Sequence, residues 1–128
     1  MTTWTTWSPP GAPFPFSTAI DNGEWMFITE AGHDPATGEL SESTYEQTKT
    51  AIAKIAHRLE QSGFSMSDIV MIRPYVTSRE VAGQFDTAFA EALPEPRPYT
   101  AALTICELFN PEMKMEVEIV AQKGAELR

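Results

Sequence analysis

The spacing of hydrophobic and polar positions changes several times along this chain, and each change marks an element. From Ser43 onward Tyr45, Thr48, Ile52, Ile55 and Leu59 fall on one face at helical spacing, with Lys49, Lys54 and Glu60 elsewhere, which predicts a first helix. Ser43-Thr44-Tyr45-Glu46 has the spacing of a capping box, and Gly63 suits the stop. Thr77-Ser78-Arg79-Glu80 repeats that spacing and predicts a second helix with Val81, Phe85, Ala88, Phe89 and Ala92 inward. Pro94, Pro96 and Pro98 forbid its continuation.

The remaining runs are β-like. "FSTAI" and "EWMFITEAG" are split by Asp21-Asn22-Gly23, the pattern of a hairpin, and "GHDPATGEL" follows as a loop. "DIVMIRPYV" is apolar but holds Pro74, so it is expected near a sheet edge or broken by a bulge. "YTAALTICEL" and "KMEVEIVAQ" complete the order strand, strand, helix, strand, helix, strand, strand. That order predicts an α+β fold, one sheet with both helices on one face. Residues 1–13, with Trp4, Trp7, Pro9, Pro10 and Pro13, lack a period; they form an irregular arm that packs down through its aromatic side chains or stays loose. Residues 14–128 then make a single domain.

Alternation assigns the faces of the last two strands. Met113, Met115, Val117 and Ile119 share the face that belongs against the helices, and Lys114, Glu116, Glu118 and Val120 share the other. That second face meets solvent or another subunit. In the preceding strand Thr100, Ala102, Thr104 and Cys106 lie on one side, small enough for close approach of another subunit or a small ligand.

Charge narrows the partners. A formal net charge of -9 argues against nucleic acid and anionic membrane surfaces, which need clustered Lys and Arg. The single cysteine, Cys106, cannot form an intrachain disulfide, and the first residues have neither the basic start nor the apolar run of a secretory signal; the expectation is a cytoplasmic protein. No apolar run approaches the ~20 residues that span a bilayer. No Cys/His cluster has zinc spacing and no glycine motif cradles phosphate, so neither metal nor nucleotide cofactor is implied. Cys106 has no neighbour that would activate it as a nucleophile, and His57 is a boundary residue of the first helix. His33, in "AGHDP", is the better placed imidazole for a ligand contact, although loop histidines are mostly just solvated.

Four separated segments, "PFSTAI", "GHDPATGEL", "EQTKTAIAKIAHRLEQSGFSMSDIVMIRPYVTS" and "EPRPYTAALTICELFNPEMKMEVEIVA", resemble the RidA/YjgF family of reactive-intermediate deaminases, in the same order from about Pro15 to Ala121. The resemblance implies a chorismate-mutase-like sandwich and a homotrimer whose ligand clefts lie between subunits. It also implies hydrolysis of imines or enamines, with an arginine clamping the substrate carboxylate. That clamp falls on Thr100 here. Giving the role to Arg97 would need an odd shift of the strand, which turns every side chain to the other face. A tyrosine of the family pattern becomes Phe16, and a carboxylate, Glu30, enters the second strand. Glu116 matches the carboxylate that positions water.

By this resemblance Glu116 is the expected catalytic residue, and Thr100, Phe16, Phe14, Glu30, Arg97 and Tyr99 are the expected substrate-binding residues, with Trp25 a further candidate wall. Without a cationic clamp, an anionic substrate meets repulsion from Glu116 and Glu30. One implication is an enzyme that hydrolyses or isomerises neutral or cationic imine- or enamine-like intermediates, with Glu116 as acid and base. The alternatives are a non-catalytic trimer that holds a small ligand or partner in a vestigial site, and a purely structural trimer.

Overall fold

The computed structural model describes residues 2–128. Its elements are β1 (Thr5–Trp7), β2 (Ala19–Asp21), β3 (Trp25–Ala31), α1 (Thr44–Gln61), β4 (Ile69–Val76), α2 (Arg79–Ala92), β5 (Thr104–Ile105) and β6 (Met115–Gln122). One mixed sheet runs β1-β2-β3-β6-β4-β5, and α1 packs on β3 and β6 while α2 packs on α1 and β4. The expected arrangement of one sheet with two helices over it is therefore present.

The two helices form where the pattern placed them. Ser43 caps α1, its hydroxyl accepting from the Glu46 amide, and Gly63 takes the left-handed φ of +80° that ends the helix. The buried face of α1 also includes Thr44 and Gln47, which apolar counting passed over. α2 starts one residue later than the box spacing suggests: its cap is Ser78, and no side-chain cap bond forms. Phe85, Ala88 and Phe89 point inward, whereas Ala92 is exposed.

At the hairpin the Asn22 side chain accepts from the Glu24 and Trp25 amides, and Gly23 supplies a φ of +87°. β6 alternates strictly, with Met115, Val117, Ile119 and Ala121 buried under the helices. Against them lie Met26 and Ile28 of β3, Ile55 and Leu59 of α1, and Ile72 and Val76 of β4.

Two departures from the sequence pattern matter for the site. Part of the irregular arm is ordered as β1, paired with β2 in the register Thr6↔Ile20. Trp4 packs on Phe27 at a ring separation of 6.2 Å, and Arg58 lies 4.7 Å over the Trp7 ring, so the strand is held from both faces of the sheet.

The second departure is the expected strand "YTAALTICEL", which is regular only at Thr104–Ile105, with one isolated bridge at Tyr99. Pro74 supplies the reason. Tyr99 bonds Val70 and Ile72, and Cys106 bonds the Val76 carbonyl, so the even-numbered residues of β4 face this neighbour. At position 74 there is no amide to offer, and the segment 100–103 leaves the sheet there. β4 also carries an irregularity between Ile69 and Met71, which fits a proline-bearing strand one place from the sheet edge.

Candidate functional site

Helices cover one face of the sheet, and the other is left to short polar and aromatic side chains. The register places Phe27 opposite Val120, Thr29 opposite Glu118 and Ala31 opposite Glu116. On the far side of β6, Tyr75 lies opposite Glu116 and Arg73 opposite Glu118. Directly paired residues share a face, so Thr29, Tyr75, Arg73, Glu116 and Glu118 stand together on the helix-free side.

Their contacts are specific. The Thr29 hydroxyl donates to Glu116 Oε2 at 2.9 Å. Arg73 Nη1 donates to Glu118 Oε1 at 3.0 Å, and its other end approaches the Met71 sulfur at 4.0 Å. Beside this pair lies a shallow, open cavity of about 130 Å³, lined by Ser17, Thr18, Ile20, Phe27, Thr29 and Glu118 among others. Hydroxyls, one aromatic ring and one carboxylate suit a small ligand with an apolar body and a polar end. A larger depression of about 240 Å³ lies between Met66, Leu93 and the prolines after α2, away from Glu116.

The expected site residues are distributed unevenly around this centre. Glu116 is half-buried at the middle of the helix-free face. Phe14 and Phe16 stack with ring centroids 5.7 Å apart, and Phe16 immediately precedes cavity-lining Ser17. Thr100 is exposed on the segment that Pro74 displaces from the sheet. Tyr99, 65% exposed, is fixed through its backbone to Val70 and Ile72. Arg97 is turned to Glu95, two residues away, in an exposed pair at 2.8 Å.

Glu30 and Trp25 do not belong with Glu116. Glu30 pairs with Val117 in the ladder and therefore points to the helix side. There Lys54 of α1 holds it at 2.9 Å, with both side chains less than a fifth exposed. A carboxylate expected beside Glu116 is thus on the opposite face, because odd and even positions of β3 point opposite ways. Trp25 shares the outer face but pairs with Gln122, at the other end of the ladder from Glu116. His33 is half-buried just beyond β3, and His57 is exposed on α1.

Arg73, Thr29 and Tyr75 were missed by sequence reasoning. The signal for Arg73 was present, a lone cation within the apolar run "IVMIRPYV". Its partner was not legible, since the β4–β6 register sets it.

The support beneath the site is built from Gln47. Its amide nitrogen donates to the Ser41 carbonyl at 2.7 Å and the Glu112 carbonyl at 3.0 Å, and its oxygen accepts from the Lys114 amide at 2.9 Å. Gly32 lets α1 come this close: a Cβ there would stand 2.5 Å from Gln47 Cβ and 2.7 Å from its backbone. After Gly32 the loop is closed by Asp34, whose carboxylate accepts from the Ala36 and Thr37 amides. Those bonds hold the Asp34 carboxyl below its ordinary pKa.

A mixed sheet with two helices on one face and the other face left open defines a recognisable class of α+β protein. Residues 6–123 match the family model described as Endoribonuclease L-PSP, and the chain belongs to that family, the RidA/YjgF family. A RutC family protein of Pyrococcus abyssi is 30% identical over 111 residues, covering 85% of this chain and 87% of the relative. Among solved structures, one from Thermotoga maritima superposes with a TM-score of 0.80 at 27% identity, covering 91% of this chain and 92% of that one. A second, from Entamoeba histolytica, gives 0.82 at 24% identity, covering 94% and 99%.

Proposed function

We propose that the protein is a homotrimer that binds a small reactive intermediate, a neutral or cationic imine or enamine, in clefts between subunits and hydrolyses it with Glu116 as acid and base. The observation that carries this reading is the Thr29–Glu116 hydrogen bond on the helix-free face, beside an open depression of about 130 Å³ that a second subunit would have to close. Thr29 holds Oε2 and leaves Oε1 for water. Glu116 takes a proton as the water oxygen bonds to the C=N carbon and returns it to the nitrogen, then carries the hydroxyl proton of the resulting carbinolamine to the same nitrogen. The C–N bond then breaks, giving a carbonyl compound and ammonia or an amine. Phe14 and Phe16 of a neighbouring lead-in segment supply apolar wall, and the segment carrying Tyr99 and Thr100 borders the cleft from an adjoining subunit.

The family description names an endoribonuclease. A chain of net charge -9, with Glu116 and Glu118 on the face in question, is poorly suited to phosphate backbones. A cytoplasmic location accords with hydrolysis of a metabolic intermediate, and among the described residues no helix is long and apolar enough to cross a membrane. A second reading, a non-catalytic ligand-binding trimer, is favoured by one observation: Thr100 offers no cation, and Arg97 is engaged by Glu95.

Imines of different charge generated in situ test both. Wild type is expected to hydrolyse neutral or cationic imines, and Glu116→Gln to lose that activity. Equal rates for the two proteins would remove the proposed base. Activity on imino acids that arises only in Thr100→Arg, with none in wild type on any imine, would establish the vestigial-site reading instead.

A further inference from the structure

The reaction reading leaves Glu118 and Arg73 unused, yet Glu118 is the charged residue in the lining of the cavity beside Glu116. Its Oε1 is taken by Arg73 at 3.0 Å, and among the described residues no donor reaches its Oε2. The same cavity offers the hydroxyl-bearing Ser17, Thr18 and Thr29 on one side and the apolar Ile20 and Phe27 on the other. Arg73, on β4, is the direct partner of Glu118 on β6, and Glu116 is the diagonal neighbour of Arg73, about 7 Å away by strand geometry. Lys114 also belongs to this face but lies beyond Glu116, farther from the cavity.

We infer that Glu118 is the specificity-determining residue of this site, taking the N–H-bearing cationic end of a small ligand on its free oxygen, with Arg73 as its positioning residue. The inference rests on the helix-free face being the ligand site, as proposed above, and it assigns the ligand a charge. Arg73 gives one N–H to Glu118 and is otherwise half-exposed, so the carboxylate beside it offsets its charge at the cavity and weakens its hold on a free anion. An ammonium or iminium group meets a carboxylate oxygen that no donor among the described residues holds. Glu118 thereby disfavours the anionic substrates that a guanidinium on this face would otherwise attract.

The test compares two probes of similar shape and opposite charge, isopropylammonium and isobutyrate, titrated into wild type, Glu118→Gln and Glu118→Gln/Arg73→Gln and followed by amide chemical shifts at Thr29 and Phe27. Wild type is expected to bind the ammonium at least about tenfold more tightly. Glu118→Gln removes the charge that offsets the Arg73 guanidinium and is expected to lower the ammonium-to-isobutyrate ratio at least about tenfold, and the double variant, which keeps Glu116, falls between the two. Equal binding of both probes by wild type, binding of neither, or an unchanged ratio in Glu118→Gln overturns the inference. The wild-type comparison decides even if a variant folds poorly. Hydrolysis lost in Glu116→Gln together with an unchanged probe ratio in Glu118→Gln would remove charge selection alone. Probe selectivity in a wild type inactive on every imine would remove the acid–base reading alone.

Discussion

Gln47 holds the base of the site together, and replacing it should cost more than any surface change. The side chain is fully buried and satisfies the carbonyls of Ser41 and Glu112 and the amide of Lys114, two residues before Glu116. In Gln47→Ala all of these backbone groups lose their partner, and each buried group left unpaired costs about 1–3 kcal/mol. Allowing water to reach the Ser41 side, the expected loss is about 3–5 kcal/mol, a large share of the 5–15 kcal/mol typical of a domain. That corresponds to a melting temperature lower by roughly 10–20 °C. Gln47→Glu separates cause from cavity: it keeps the volume and the acceptor for Lys114 but has no donor for the two carbonyls, so it should lose at least as much. Urea titration and calorimetry at matched protomer concentration measure both, since assembly would shift the apparent stability. Losses under about 1 kcal/mol in both variants would refute the assignment of these bonds as structural.

Glu30→Gln should lower stability by about 1–2 kcal/mol, between the values for exposed and buried pairs, because it leaves Lys54 without its carboxylate. It should leave imine hydrolysis unchanged, and a large fall in turnover at normal stability would return Glu30 to the site. Gly32→Ala drives a methyl group into the Gln47 backbone and is expected to cost about 1–3 kcal/mol, measured as a shift in the urea midpoint. The Asp34 carboxyl is held below its ordinary value of 3.8 by the Ala36 and Thr37 amides. Its contribution to stability is therefore present above pH 3.8 and fades as pH falls through the lower folded value. Asp34→Asn keeps an acceptor but cannot titrate, so the stability gap between it and wild type should shrink below pH 3.8; a gap unchanged down to pH 2 would contradict this.

What the residue pattern carried was everything that depends on neighbours in the chain. Helical spacing and the Ser43 cap located α1, alternation in "KMEVEIVAQ" separated Met115, Val117 and Ile119 from Glu116 and Glu118, and Asp21-Asn22-Gly23 marked the hairpin. Order and composition of the segments were enough to bring out the family resemblance, and the matched family model bears it out. Glu116 could be singled out because its face follows from the period of one strand.

Everything that depended on two strands at once had to wait for the tertiary structure. The register of β3 against β6 sent Glu30 to Lys54 rather than to Glu116. The register of β4 against β6 set Arg73 on Glu118. Pro74, legible as a broken strand, acted mainly on its neighbour: by withholding one amide it released Thr100 from the ladder that alternation alone had assigned to it. Period along a strand is written in the chain, because each side chain's direction follows from the one before. Register between strands is settled by packing of the whole sheet against α1 and α2, and a one-residue change in it moves every side chain to the other face.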